Sequence, residues 1–571
     1  MSDADIHTGD VAATYCATLV DTWIRLGVTH ACVAPGSRST PMALALVDRP
    51  ELTVSIHHDE RSAAFAALGV GLATGRPALV LTTSGTAAVH LHAAVVEADL
   101  ARVPLLALTA DRPPELQGVG APQTIDQRDL YGPSARRFID AGVPDPSQRA
   151  RWRTAAIDAF AATRGPVPGP VQLNLPFREP LLGQAGALPA VDDDALALVL
   201  APIDPSALAP AVVADLVGRL SGRRGVLVAG CGVDDAAAIY RLAAALGWPV
   251  LADARSGARL EHSGAITHAD ALLRVDEWAA AYQPDVVLRI GDPWASKVVN
   301  QWLAATPEHV IVDRHAVWIE PDRRAVLRVC ATATTLASTL APLVTAVDAE
   351  WRVSWTRIEQ VAQRAVDAQF VAGAALSEPL IAYTVAAFAP DDCAIVAASS
   401  MPVRDIEWYA SGRDRIVHHA NRGANGIDGV VSTAIGVALS GQRVVALVGD
   451  VAFLHDSSAL IALARRSIDL TLVVIDNDGG GIFSFLAQAD ALEHDRFELL
   501  FGTPHGTDIA ALACAHHLDT ATVDTGDAFV LAYRAAVNAP GVHVIVARTD
   551  RAENVQAHRR IHEAVARAIT V

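Results

Sequence analysis

Short runs rich in β-branched residues alternate along this chain with longer Ala- and Leu-rich stretches of helical spacing. That alternation predicts an α/β protein whose mostly parallel sheets carry helices on both faces, in a doubly wound arrangement. In the first third the runs His30–Ala34, Ala78–Thr83, Pro104–Thr109 and Pro170–Leu175 read as strands. A second group follows at Gly225–Ala229, Val250–Ala252, Asp285–Ile290 and His309–Val312. A third comprises Ala394–Ala398, Arg415–His418, Val444–Val448, Leu470–Ile475 and Val542–Ala547. Between the first two groups, residues 183–212 turn to Gly, Ala, Pro (Pro202 and Pro205 among them) and a run of three aspartates, which reads as a linker. The Thr/Ala/Pro stretch 331–348 reads as a second linker. Three α/β domains result, spanning 1–185, 206–345 and 365–571.

Length agrees, since 571 residues exceed what one core can organise. Hydrophobic content of 51% with 19% charged residues describes a packed globular chain. The first ten residues hold three aspartates and no apolar core segment, unlike a signal peptide, and no apolar run is long enough to cross a bilayer. A soluble, cytoplasmic protein is expected. The six cysteines are scattered without a CxxC pair, so they read as small buried hydrophobes and not as a disulfide framework or zinc site. A net charge of −18 argues against nucleic acid. It also requires any anionic substrate to be met by local cations.

The sharpest chemical signal lies in the third group. The strand Val444–Val448 ends in Gly449-Asp450; 26 residues later comes Asn477-Asp478-Gly479-Gly480-Gly481. Asp456-Ser457-Ser458 is placed to cap an intervening helix with the apolar face Leu460, Ile461, Leu463 and Ala464, and Leu470–Ile475 is the next strand. A strand–helix–strand crossover sets Asp450 and Asn477 side by side at the carboxyl ends of neighbouring strands, where open α/β sheets bind ligands. A carboxylate, an amide oxygen and a glycine carbonyl make a partial oxygen shell of the kind Mg²⁺ completes with phosphate oxygens and water.

This Asp-x26-Asn spacing with its following glycines resembles the metal- and diphosphate-binding motif of the thiamine-diphosphate-dependent enzymes. The general motif has glycine where Val451 stands and a second asparagine where Asp478 stands; neither departure touches the ligands Asp450, Asn477 and the Gly479 carbonyl. The segments Ala34-Pro35-Gly36-Ser37-Arg38-Ser39-Thr40-Pro41, Thr83–Ala87, Thr109–Leu116, Asn421–Gly429 and Gly481-Ile482-Phe483 narrow the likeness. They are similar to those of the carboligases in this family that serve menaquinone biosynthesis. The likeness spans essentially the whole chain and is weakest between 180 and 390.

The resemblance implies pyrimidine-binding, central and diphosphate-binding domains, thiamine diphosphate and Mg²⁺ (with Mn²⁺ as substitute), and a homodimer that two such dimers can extend. It implies decarboxylation of 2-oxoglutarate and addition of the remainder to isochorismate, both dianions. Glu60, in Ile56-His57-His58-Asp59-Glu60-Arg61-Ser62-Ala63, would hydrogen-bond the pyrimidine nitrogen N1′; by position alone it would read as a solvated cap residue. Pro35, Ser400, Ile427 and Gly449 join Glu60 and the metal ligands in holding the cofactor. Arg38, Arg112, Arg404, Arg422 and Lys297 would bind carboxylates, for which the planar guanidinium is well suited. Arg38, Arg404 and Arg422 count with Glu60 as catalytic. Ser37, Gln123 and Ser399 add hydrogen bonds, and Phe483 lines the acceptor side. Pro122 and Val298 depart from the pattern near that side.

Gly230-x-Gly232 after a strand hints at a dinucleotide, but Asp235 stands where the fingerprint needs glycine, so none is expected. Two rivals remain. One is another thiamine-diphosphate carboligase or decarboxylase such as acetolactate synthase, for which only His57 and His58 speak. The other is a non-catalytic α/β binding protein, which predicts loss of Glu60 or of the metal ligands.

Overall fold

The computed structural model describes residues 3–200, 207–318 and 320–570. Among the described residues, eighteen strands form three sheets of six. The first sheet contains β1 (His30–Val33), β2 (Thr53–Ile56), β3 (Ala78–Thr82), β4 (Leu105–Asp111), β5 (Arg137–Asp140) and β6 (Pro170–Pro176), in the order β2-β1-β3-β4-β6-β5. The second contains β7 (Gly225–Ala229), β8 (Val250–Ala252), β9 (Ala265–Ile266), β10 (Val286–Ile290), β11 (Glu308–Val312) and β12 (Ala325–Val329), in the order β12-β11-β10-β7-β8-β9. The third contains β13 (Ala394–Ala397), β14 (Val417–His419), β15 (Val444–Gly449), β16 (Leu470–Asp476), β17 (Asp519–Val523) and β18 (Val542–Arg548), in the order β14-β13-β15-β16-β18-β17. Pairing is parallel throughout the first two sheets and at both edges of the third.

Central strands such as β3, β4, β7 and β10 are buried at every position. That is why their sequences run apolar without alternation: helices cover both faces. The strand order reverses between β1 and β3, between β10 and β7, and between β13 and β15, and chain crossings at such a point leave a crevice at the carboxyl ends. The loops after β1 and β3 (Pro35–Ser39 and Thr83–Gly85) flank the reversal of the first sheet. Ser399-Ser400 after β13 and Asp450 after β15 flank that of the third.

Compact packing divides the chain into two units. One comprises Met1–Ile203, Asn421–Val444 and Ala452–Leu470; the other comprises Asp204–Ala420, Val445–Val451 and Thr471–Val571. The first unit holds sheet one, and the second holds sheets two and three.

Three expectations change. The stretch 331–348 is not merely a linker: Ala333–Leu340 is a helix, capped by Thr332 and burying Ala333, Leu336, Ala337 and Leu340. Its helical spacing was masked by a Thr/Ala-rich composition. In the first linker Asp193–Leu200 is also helical and buries Leu196, while Pro202 and Pro205 lie outside the described residues. No α-helix follows Asp456. The crossover has a short helix, Asp450–His455, then tight 3-10 turns at Ser457–Leu460 and Leu463–Arg465. Asp456 caps a different helix, accepting from the backbone N–H and hydroxyl of Ser432 at 2.7 and 3.0 Å.

Within the first unit, the helices Glu60–Thr74 and Val430–Leu439 cross so closely that side chains are excluded. A Cβ on Gly69 would stand 2.1 Å from the Thr433 carbonyl oxygen, and one on Gly436 1.9 Å from that of Ala66. Overpacking of this kind costs about 1–3 kcal/mol. Gly436→Ala should therefore lower the thermal-unfolding midpoint by several degrees, and calorimetry showing an unchanged midpoint would mean the helices do not meet there.

Candidate cofactor and substrate site

In the second unit the motif residues assemble around one buried carboxylate. Asp450 is 2% exposed. Its Oδ1 accepts from Val451 N at 2.6 Å, and its Oδ2 accepts from Asn477 N at 3.1 Å and Gly479 N at 2.9 Å. Val451, where the general motif has glycine, contributes its backbone N–H to Asp450. Gly479 adopts φ +139°, and a Cβ there would lie 1.9 Å from the Gly502 carbonyl oxygen. Only glycine fits.

The Asn477 amide is oriented by its Nδ2, which donates to Glu378 Oε1 at 2.7 Å. Its Oδ1 is buried and has no hydrogen-bond partner among the described residues. A buried acceptor left unpaired costs free energy and calls for an explanation. An uncommitted amide oxygen beside a carboxylate and a glycine-rich turn is a donor set that fits a hard divalent cation, with diphosphate oxygens completing its shell.

Asp476, His505 and Glu378 carried no signal in the sequence. Ligand atoms of Asp450, Asp476 and His505 lie within 4.8 Å of one another. His505 Nδ1 accepts from Thr507 N at 3.0 Å, and its Nε2 lies 3.3 Å from Asp450 Oδ2 without forming a hydrogen bond. Asp478 finds its role in the same loop, with Oδ1 accepting from His505 N at 2.9 Å and Gly506 N at 2.8 Å. Glu378 is 1% exposed, and burial pushes its carboxyl up to about 7, with the Asp450 charge adding to the shift.

Ser399, Ser400 and Arg404 follow β13. Arg404 lies on the helix Met401–Tyr409, and its guanidinium donates to the Ser400 carbonyl. Ser400 holds φ +86°, a region that non-glycine residues occupy at a cost of order 1–3 kcal/mol and that clusters at functional sites. Lys297 is exposed at the start of the helix Lys297–Ala304. Glu407, on the Arg404 helix, accepts from Ala295 N and Ser296 N at 2.8 and 2.7 Å, so one buried carboxylate links the helices carrying Arg404 and Lys297. Phe483 sits in the turn Gly481–Phe485, its ring 5.4 Å from that of Phe501. In the middle sheet, a Cβ on Gly230 would lie 1.8 Å from the Asp292 carbonyl oxygen, so backbone packing by itself requires that glycine.

The first unit holds the remaining residues. Glu60 is the half-buried first residue of Glu60–Thr74, behind Asp59, which caps the helix through Arg61 N and Ser62 N. Arg38, expected to be available to a substrate, is 3% exposed and donates to the Phe177 carbonyl at 2.8 Å and pairs with Glu179 at 2.9 Å. Pro35 and Ser37 are exposed in the same loop. Arg112 donates to the Pro122 carbonyl at 3.2 Å and borders a cavity of about 590 Å³ with Asp111, Gln117, Thr124 and Asn174. Gln123 is exposed at φ +55°, locked to Ser84 by two bonds of 2.9 and 3.1 Å. Arg422 and Ile427 lie in a loop fixed by buried Glu97, whose carboxylate accepts from Gly423 N and Ala424 N, each at 2.7 Å. His57 is buried, and desolvation pushes its ring down to about 3, so it stays neutral and is a poor proton donor.

Comparison with known proteins agrees with this chemistry. Residues 14–130, 206–396 and 409–547 match the N-terminal TPP-binding, middle and C-terminal TPP-binding domains of the thiamine pyrophosphate enzymes. A 2-succinyl-5-enolpyruvyl-6-hydroxy-3-cyclohexene-1-carboxylate synthase from Chloroflexus aurantiacus is 40% identical over 557 residues, covering 95% of this chain and 94% of its own. Synthases of the same name from Myxococcus xanthus (39%, covering 100% and 99%) and Halobacterium salinarum (41%, covering 96% and 98%) are similar throughout. Among solved structures, a putative thiamin diphosphate-dependent enzyme from Mycobacterium smegmatis superposes with TM-score 0.70 at 22% identity, covering 94% of this chain and 99% of its own. A 4-hydroxybenzoylformate decarboxylase from Rhodococcus jostii gives 0.72 at 19%, with the same coverage. These two share the fold. No described helix is long and apolar enough to cross a membrane.

If Asp450 organises a cation site, Asp450→Ala should abolish the Mg²⁺-dependent part of thiamine diphosphate affinity. Calorimetric titration of the cofactor into wild type and variant, with Mg²⁺ or with chelator, measures this. Equal wild-type affinity under both conditions would remove the metal assignment.

Proposed function

We propose that this chain, which belongs to the thiamine-diphosphate-dependent enzymes and among them to the 2-succinyl-5-enolpyruvyl-6-hydroxy-3-cyclohexene-1-carboxylate synthases, is a transferase of menaquinone biosynthesis. It decarboxylates 2-oxoglutarate and adds the remaining four-carbon unit to isochorismate by 1,4-addition, releasing CO₂. The observation that carries the reading is the metal loop: Asp450 bonded to Asn477 and Gly479, with Asn477 Oδ1 held ready, inside a chain about 40% identical from end to end to synthases of that name.

Bound thiamine diphosphate supplies the nucleophilic carbon and electron sink for both bond changes; the protein supplies orientation and electrostatics. Asp450, Asn477 Oδ1 and the Gly479 carbonyl would hold Mg²⁺, with Gly449, Ser400, Pro35 and Ile427 against the cofactor. Glu60 would hold a proton at the pyrimidine nitrogen N1′. Arg404, Arg422, Arg112 and Lys297 would receive substrate carboxylates, with Ser37, Gln123, Ser399 and Phe483 shaping the acceptor side. Arg38 is already engaged by Phe177 and Glu179, so its contribution to substrate would come through the buried Nε that has no partner among the described residues. The domains would span 1–185, 206–345 and 365–571, and the enzyme would be a cytoplasmic homodimer.

The decisive assay mixes the protein, cofactor and Mg²⁺ with 2-oxoglutarate and isochorismate and identifies the product by mass spectrometry. Pyruvate should be a poor donor because it lacks the distal carboxylate the cations would pair. Preferential use of pyruvate would point to an acetolactate-type sister enzyme.

A second expectation concerns assembly. If each site takes Glu60 from one subunit and Asp450 from its partner, Glu60→Gln and Asp450→Ala homodimers should each be nearly inactive. Subunit exchange makes half the dimers mixed, each with one intact site of two, so activity should recover to about a quarter of wild type. No recovery after verified exchange would place both residues in a site within one chain.

A further inference from the structure

We propose that Glu378 is a positioning residue for the metal site, fixing the Asn477 amide so that its oxygen and not its nitrogen is presented to the cation. This rests on the metal reading above and extends it to a residue outside the motif.

An asparagine amide has two ends of nearly equal shape, one donating and one accepting, and only the oxygen can ligate a cation. A half-turn about the last side-chain bond would therefore cancel a ligand. Glu378 forbids that turn. Its Oε1 lies 2.7 Å from Asn477 Nδ2, and a flipped amide would set oxygen against carboxylate oxygen. Glu378 is itself fixed: it is the first residue of the helix Glu378–Phe388, behind the Ser377 cap, where the helix N-terminus favours negative charge. The Thr549 hydroxyl also donates to Oε1, at 3.4 Å. Both of these donors are neutral. A carboxylate 1% exposed and met by neutral donors alone is a costly way to fill space, and an apolar side chain would pack there without that cost. The result of its presence is an Asn477 Oδ1 that is buried, unshared and of fixed direction. Partners behind metal ligands act in this way, and their loss typically weakens metal affinity 10–100-fold.

The test titrates Mn²⁺ into the full-length chain with saturating thiamine diphosphate and follows binding by water-proton relaxation, with melting temperatures recorded in parallel. Glu378→Leu removes the acceptor and should weaken Mn²⁺ binding about 10–100-fold. Glu378→Gln can still offer an oxygen to Asn477 Nδ2 and should stay close to wild type. A purely structural role would lower melting temperature in both variants while Mn²⁺ affinity stays at the wild-type level, and this outcome overturns the proposal. So does a loss of affinity in Glu378→Gln as large as in Glu378→Leu. Should Glu378→Leu fail to fold, Glu378→Ala removes the acceptor with less bulk and is read in the same way. Asp450→Ala separates the two levels: if it binds Mn²⁺ normally, the metal reading itself fails. If it loses Mn²⁺ while the Glu378 variants do not, only the role of Glu378 fails.

Discussion

The Asp450 carboxylate is nearly sealed from water, so its oxygens must find their partners within the protein, and this constraint organises the loops around it. Three backbone N–H groups supply them, from Val451, Asn477 and Gly479, and meeting them dictates the path of the 477–481 turn. That path brings Gly479 against the Gly502 carbonyl, where no side chain can stand. Gly502 is confined in turn, since a Cβ on it would meet the Arg551 guanidinium at 2.4 Å and the Glu498 carboxylate at 2.5 Å. The constraint at this carboxylate thus propagates through two glycines to a salt bridge, Arg551–Glu498 at 2.7 Å.

The same device recurs in both units. Glu97 gathers the N–H groups of Gly423 and Ala424, Glu407 those of Ala295 and Ser296, and Asp456 the N–H and hydroxyl of Ser432. In each case a buried acid satisfies backbone donors of a segment distant in sequence. Leaving such donors unpaired would cost about 1–3 kcal/mol each. The segments so held carry, or directly precede, residues proposed to meet substrate or cofactor: Arg422 and Ile427 in one case, Lys297 in another. Loops that must approach a ligand cannot bury much apolar surface of their own. Hydrogen bonds from a rigid helix replace that missing packing.

This explains what was legible in the sequence. Strands buried on both faces announce themselves as apolar runs, and the central ones were found. The five strands without a sequence signal, β2, β5, β9, β12 and β17, are all sheet edges. Edge strands are short and half solvated, so runs such as Arg137–Asp140 and Asp519–Val523 interleave polar residues and lose the pattern. At the site, residues that would touch cofactor stood out because spacing and motif marked them. Glu97, Glu378, Glu407 and His505 did not, since each acts through a contact distant in sequence: Glu378 meets Asn477 across 99 positions and Glu97 meets Gly423 across 326. A lone acid on a helix has no local signature for such a role. Asp478 looked like an unexplained departure until the 505–507 loop appeared beside it. Arg38 is a contrast: motif membership marked it as a cation for substrate, and the fold pairs it with the Phe177 carbonyl and Glu179.

Charge balance closes the case for how an acidic protein could receive two dianions. Arg404 is half-buried, and burial lowers its guanidinium from its ordinary value, yet arginine remains charged near neutral pH. Its sequence neighbour Asp405 might be expected to cancel it. Asp405 is fully buried, and desolvation raises it well above the usual carboxylate range. Glu407, three positions along, is pushed up to about 8 by the same cause. Burial thus shifts both acids beside Arg404 toward their neutral forms, while the guanidinium keeps its charge. The formal charge of −18 belongs to the chain as a whole, and the acids next to this arginine contribute less to it than their number suggests.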